Sequence, residues 1–73
     1  MSDVFDQMAT AWQAPIVTRA KIKEFTGGAV APKHMANIDS LGEGPERVVV
    51  NGRVCYPVLP YVAWLRNRSH QKG

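Results

Sequence analysis

The sequence contains little that could support covalent cross-linking or metal binding. It has one cysteine, Cys55, and two histidines, His34 and His70, which lie far apart in the chain. One cysteine cannot form an internal disulfide bond, and these three residues lack the spacing of a metal site. We therefore expect no disulfide and no metal. A chain of this kind is typical of the reducing cytoplasm, which is the expected compartment.

Signals of membrane proteins and of enzymes are also absent. No apolar run approaches the roughly 20 residues that span a bilayer, and the acidic start is unlike a secretory signal. There is no Walker-type glycine loop, no catalytic spacing of two carboxylates and no Cys/His cluster. Asp39 and Glu43 are better explained as helix-end and turn residues. We expect no catalysis, no cofactor, no small-molecule substrate and no membrane partner.

Acidic residues are scarce beyond the first fifteen positions. Residues 1–15 contain Asp3 and Asp6 and no base, whereas residues 16–73 contain nine Lys or Arg against four Asp or Glu. The 73-residue chain carries a net charge of +3 and has room for one small domain. A small basic domain behind an acidic head favours an anionic partner, of which nucleic acid is the commonest.

Residues 1–15 are predicted to form an N-terminal extension, as a short helix or a partly disordered segment. Ser2 is a candidate N-cap, and apolar residues recur at spacings of three and four from Val4 to Trp12. Pro15 ends the pattern, because proline disfavours helix in the residue before it. The pattern leaves open whether this segment packs on the domain, pairs with a second copy or stays partly disordered.

The domain itself is predicted over residues 16–68, and it starts with a helix over residues 19–26. Thr18 is the candidate N-cap, and Ile22 and Phe25 are expected to face inward. The glycine pair that follows Thr26 suits the left-handed conformation after a helix end. The chain then has the residues of a tight turn.

A second helix is predicted over residues 32–40. Pro32 suits its first position, and Met35 and Ile38 are expected to face the core, with Leu41 behind them. Two short helices joined by a tight glycine-containing turn are the layout of a helix-turn-helix.

The sequence then changes period and predicts a β-hairpin over residues 47–56. Its centre is Asn51–Gly52, which suits a type I′ turn because both positions need positive φ. In this register Val49 pairs with Val54. Both faces of the hairpin carry apolar groups, so the sequence does not decide which face is buried. We favour the face that carries Val54 and Tyr56.

A final helix is predicted to start near Pro57 or Pro60 and to end before a frayed tail over residues 69–73. Four residues supply its apolar side: Leu59, Val62, Trp64 and Leu65.

Several short segments, in this order, resemble one known family. They are TRAKI at 18–22, FTGG at 25–28, APKHMANIDSLGEGP at 31–45, NGRVCYPV at 51–58 and WL at 64–65. The combination resembles the excisionase-type, MerR-like helix-turn-helix domains of phages and integrative elements, over roughly residues 16–66. The expected fold is therefore α+β and mainly α: a small winged helix-turn-helix with two helices, a β-hairpin wing and a closing C-terminal helix.

The resemblance implies that helix 32–40 enters the major groove and that hairpin 47–56 is a wing over the backbone or minor groove. With Met35 and Ile38 inside, the outward residues are Lys33, His34, Asn37 and Ser40. Asn37 can pair bidentately with adenine, and Lys33 can reach guanine or a phosphate. The candidate phosphate contacts are Thr18, Arg19, Lys21, Arg47 and Arg53.

The expected function is sequence-specific binding of double-stranded DNA by a small phage or mobile-element protein. The protein would be an excisionase (a recombination directionality factor) or a transcriptional regulator, and its further partner an integrase or a second copy. The alternative is a protein-interaction module that uses a winged-helix scaffold without binding DNA. Salt dependence separates the two, because DNA binding weakens steeply with salt whereas an apolar interface does not.

Overall fold

A computed structural model describes residues 3–69, so the predicted N-cap Ser2 and tail residues 70–73 lie outside the described part. The described residues form helices and a three-stranded antiparallel sheet, which confirms the α+β class. The elements are α1 (Val4–Ala11), β1 (Ile16–Thr18), a 3-10 turn (Arg19–Lys21), α2 (Ile22–Phe25), α3 (Pro32–Ser40), β2 (Val48–Val50), β3 (Arg53–Pro57) and α4 (Val58–Arg68). None of the described helices is long and apolar enough to cross a membrane.

The hairpin forms as predicted, with slightly different bounds. Asn51 and Gly52 both adopt positive φ, of 52° and 76°, as a type I′ turn requires. Val49 lies opposite Val54, which confirms the predicted register. Tyr56 is fully buried and Val54 packs against the core, which confirms that these two residues point inward.

A third strand, β1, is present that the sequence analysis did not predict. It pairs antiparallel with β3, so that Val17 lies opposite Tyr56 and the strand order is β1-β3-β2. The N–H of Val58 also donates to the carbonyl of Pro15 at 2.9 Å. β3 is therefore the central strand, and both β1 and β2 are edge strands.

The first predicted helix is shorter than expected. Residues 19–26 contain a 3-10 turn followed by the single-turn helix α2, and the side chain of Thr18 makes no capping hydrogen bond. Ile22 and Phe25 are buried as predicted. The hydroxyl of Thr26 accepts from the Val30 N–H at 3.0 Å and donates to the Ile22 carbonyl at 2.9 Å. Thr26 therefore organises the turn that leads to α3.

α3 has the predicted bounds and begins at Pro32. Met35 and Ile38 are buried, as predicted. The prediction that Leu41 lies behind them is wrong, because 69% of its surface is exposed. Leu41 follows the last helical turn, and the chain changes direction at Gly42, whose φ is +73°.

α4 begins at Val58, directly after β3, and three of its residues define the buried face. Val58, Tyr61 and Val62 lie in the core at helical spacings of three and four. Trp64 and Leu65 pack against this core as partly buried residues. The prediction for Leu59 is wrong: it is 73% exposed, because Val58 takes the inward position in the first turn.

α1 packs on α4 and contributes to the same core. Phe5 is buried, and the side chain of Asp3 caps α1 by accepting from the Asp6 N–H at 2.9 Å. Arg66 of α4 forms ion pairs with Asp3 and Asp6, at 2.8 and 3.1 Å. The Trp12 indole N–H donates to the Ile16 carbonyl at 3.0 Å and so ties the end of α1 to β1.

We predict that Phe5→Ala lowers the free energy of unfolding by about 3 kcal/mol, because it removes a buried ring from the core. Val4→Ala, at a neighbouring position that is 58% exposed, should change it by less than about 0.5 kcal/mol. Urea unfolding followed by circular dichroism measures both. Equal effects of the two changes would show that α1 does not belong to the folded core.

Candidate nucleic-acid interface

The predicted outward face of α3 is exposed. Lys33, Asn37 and Ser40 follow one another at spacings of four and three, and His34 lies beside them. All four side chains are solvent-exposed, and Lys33, Asn37 and Ser40 lie on the side of the helix opposite the buried Met35 and Ile38. The sequence therefore assigned these four residues to the correct face.

Most of the polar groups on this face have no partner within residues 3–69. The side chains of Lys33, His34 and Asn37 make no hydrogen bond or ion pair there, whereas the Ser40 hydroxyl donates to the Asn37 carbonyl at 2.7 Å. The amide of Asn37, with one acceptor and two donors, is therefore available to a ligand.

The single carboxylate of α3, that of Asp39, points into the protein. Asp39 is 7% exposed, and its Oδ2 accepts hydrogen bonds from Tyr56 Oη and Arg19 Nη2, both at 2.6 Å. Arg19 Nε also donates to Tyr56 Oη at 3.0 Å. These three side chains form a closed triangle between α3, the 3-10 turn and β3, which we call the Asp39 cluster.

The other oxygen of Asp39 faces the loop between α3 and β2. Arg47 Nη1 lies 3.7 Å from Oδ1, an ion pair too long for a hydrogen bond, and Oδ1 has no hydrogen-bond partner in the described part of the chain. A β-carbon built at Gly44 would overlap this oxygen. The position of the Asp39 carboxylate therefore requires glycine at 44.

The role of Asp39 was not predicted, because its position in the sequence was interpreted as that of a helix-end residue. A signal was available, because Met35, Ile38 and Asp39 stand at i, i+3 and i+4 and so share the buried side of α3. A carboxylate in that position requires a buried cation or hydroxyl donor.

The five predicted phosphate contacts are distributed around β1, the 3-10 turn and the hairpin. Thr18, Arg19 and Arg53 line one surface groove. Lys21 is exposed and lies 3.5 Å from Glu24. Arg19 and Arg47 both contact Asp39, so each has an intramolecular partner in addition to its predicted role.

Burial affects the proton affinity of both tyrosines. It raises the pKa of Tyr56 above its ordinary value of 10.0, and the hydrogen bond to Asp39 acts in the same direction. Burial also raises the pKa of Tyr61 well above its ordinary range. The hydrogen bond to Tyr56 raises the pKa of Arg19, so this guanidinium stays charged.

Metal-binding side chains do not cluster in the described residues: nowhere in residues 3–69 do three His, Cys, Asp or Glu side chains come together. Cys55 is buried in the hairpin with a free thiol.

Comparisons with protein-family models, with curated proteins and with solved structures give no match. The function must therefore be inferred from the chemistry of α3, the Asp39 cluster and the hairpin.

We predict that Asp39→Asn lowers the free energy of unfolding by about 2 kcal/mol, because it leaves the half-buried Arg19 guanidinium without its counter-charge. The matched control is Glu43→Gln, which neutralises an exposed carboxylate four residues away and should have little effect. Chemical denaturation of the variants measures the difference. Indistinguishable stabilities would mean that the Asp39 cluster contributes nothing to the fold.

We predict that stability falls as the pH rises above 10.0, the ordinary tyrosine value. In that range the unfolded chain has released its tyrosine protons while the folded chain retains them, so the unfolded state binds fewer protons. The free energy of unfolding should therefore fall by up to about 1.4 kcal/mol per pH unit for each of the two tyrosines.

Denaturant unfolding across this range, with tyrosinate absorbance as a second probe, tests the pH dependence. Tyr61→Phe should roughly halve the slope, because it removes one of the two titrating groups. A stability that is flat above pH 10.0 in the unsubstituted protein would contradict the prediction.

Proposed function

We propose that this protein binds double-stranded DNA in a sequence-specific manner, as a small winged helix-turn-helix. In this proposal α3 enters the major groove and the β2–β3 hairpin is the wing. The observation that carries it is the composition of α3: its exposed face holds Lys33, His34, Asn37 and Ser40, and its one carboxylate, Asp39, is buried and paired. A helix of this kind meets phosphates without like-charge repulsion from its own side chains.

The chemistry of this face suits base recognition. The Asn37 amide can make the bidentate pair with adenine, and Lys33 can donate to guanine or to a phosphate. Both lie in the first two turns of α3, the part of a recognition helix that usually contacts base edges. Ser40, near the end of the helix, is exposed on the same side and can contact the backbone.

The hairpin and the 3-10 turn supply groups that suit phosphate. Arg53 is exposed beside the turn of the hairpin, and it shares a groove with Thr18 and Arg19. Phosphate contacts of this kind fix the register of a protein on the duplex without reading sequence.

The distribution of the acids supports an anionic partner. Asp3 and Asp6 are paired with Arg66, Asp39 with Arg19 and Glu24 with Lys21, so four of the six acidic residues have an ion-pair partner within the fold. Lys33 and Arg53 make no ion pair within residues 3–69. Positive charge therefore dominates the proposed interface.

The resemblance to excisionase-type domains favours a role in a phage or another mobile element, as an excisionase that acts with an integrase or as a transcriptional regulator. DNA bending separates the two roles. A recombination directionality factor is expected to bend its site, whereas a regulator needs only to occupy an operator.

We predict that Lys33→Ala weakens binding to random-sequence duplex and reduces the slope of log K against log salt by about 0.9, because one phosphate contact is lost. Lys23→Ala is the matched control, since Lys23 is an exposed lysine outside the predicted contact set. Fluorescence anisotropy at several salt concentrations measures both slopes.

Asn37→Ala tests base reading in the same assay, once a preferred site has been selected. It should cost about 1–3 kcal/mol on that site and much less on random duplex. Asn67→Ala, which removes an exposed amide from α4, should bind like the parent protein. A folded protein that does not bind duplex at low salt would refute DNA binding and favour the protein-interaction module.

A further inference from the structure

The outer strand of the hairpin, β2, exposes an apolar edge. It consists of three valines, Val48, Val49 and Val50, whose exposed fractions are 38%, 68% and 47%. Its other side pairs with β3, and the sheet has no strand beyond β2 among the described residues. Monomeric proteins usually protect such an edge with charges, proline or a covering segment, because its free backbone groups can pair with another chain.

The exposed apolar residues elsewhere differ from this edge. Leu41 and Leu59 are as exposed as Val49, but each is a single exposed apolar side chain on or next to a helix. Single exposed apolar residues are normal on protein surfaces. β2 combines contiguous apolar side chains with free backbone donors and acceptors.

The register of the hairpin determines which backbone groups are free. A two-residue turn closes with a hydrogen-bonded pair, here Val50 and Arg53, and such pairs alternate along an antiparallel ladder. Val48 and Val50 therefore use their N–H and C=O groups towards β3. Val49, between them, directs both of its groups to the free edge.

This edge is complementary to itself. If a second copy adds its β2 antiparallel, centred on Val49, the two Val49 residues exchange both hydrogen bonds, and Val48 of each copy lies opposite Val50 of the other. Arg47 then lies opposite the uncharged Asn51 of the second copy. This register places no two like charges opposite each other. It also brings Glu46 of one copy close to the hairpin turn of the other copy, next to which Arg53 lies.

We propose that β2 is a self-association surface and that two copies join through antiparallel β2 strands into one six-stranded sheet. The partner of this edge is a second copy because the strand is complementary to itself. Its three residues are identical, and the free N–H and C=O groups belong to the central one, so two antiparallel copies can exchange both hydrogen bonds. This proposal does not depend on DNA binding.

Sedimentation velocity without DNA, up to about 1 mM protein, tests the proposal. The parent should show a concentration-dependent dimer, and Val49→Lys should raise the dimer dissociation constant by about tenfold or more, because two lysines would lie directly opposite each other. Leu41→Lys is the matched control, since Leu41 is 69% exposed against 68% for Val49, and it should dimerise like the parent.

Cross-linking gives a second, independent measurement. Val49→Cys should form a disulfide-linked dimer in a glutathione buffer much faster than Leu41→Cys, because paired strands bring the two Cα atoms to about 5.5 Å. Cys55 is buried and does not compete. A parent that stays monomeric at every concentration, a dimer unaffected by Val49→Lys, or equal cross-linking rates would each overturn the proposal.

Discussion

The buried carboxylate of Asp39 joins parts of the chain that are otherwise connected only by loops. Its partners come from the 3-10 turn (Arg19) and the central strand (Tyr56), with Arg47 near its second oxygen. A buried charge is costly unless it is paired, so any shift of α3 that separated these groups would raise the free energy of the fold. The Asp39 cluster therefore fixes the orientation of α3 against the hairpin. Gly44 is part of the same constraint, because a side chain there would overlap the carboxylate.

The same interaction sets the charge of the opposite side of α3. An aspartate at any outward position of this helix would oppose an approaching phosphate, whereas Asp39 lies inward and is balanced by Arg19. The exposed face is left with Lys33, His34, Asn37 and Ser40. Arg19 serves the interior in this arrangement, through Nε and Nη2, even though its type and position made it a candidate phosphate contact. The pairing of Asp39 with Arg19 therefore has two results: it stabilises the interior of the domain, and it leaves the exposed face of α3 without an acidic side chain.

The sequence predicted the elements with a strong local signal and missed those that depend on distant partners. Asn51–Gly52 determines the hairpin register, and Pro32 with Met35 and Ile38 determines α3 and its phase. β1 has three residues, too few for a periodic pattern, and it is a strand because β3 lies beside it. The inward face of α4 was predicted in part: Val62 is buried and Trp64 and Leu65 pack against the core, but Val58 and Tyr61 share that face and Leu59, one residue or about 100° away from Val58, points outward. The exposed face of α3 was predictable for the same reason that its core face was: one helix period determines both.

A dimer joined through β2 and a DNA-binding α3 constrain each other geometrically. Antiparallel strands centred on Val49 are related by a two-fold axis, so the interface is isologous and closes at two copies. The same axis relates the two α3 helices, and a protein two-fold matches a DNA site with two inverted half-sites. Cooperative binding to directly repeated sites needs a different, head-to-tail contact, because a two-fold axis reverses the direction of the second copy. If both proposals hold, the β2 edge would set the orientation of the two half-sites, and the residues on α3 would set their sequence.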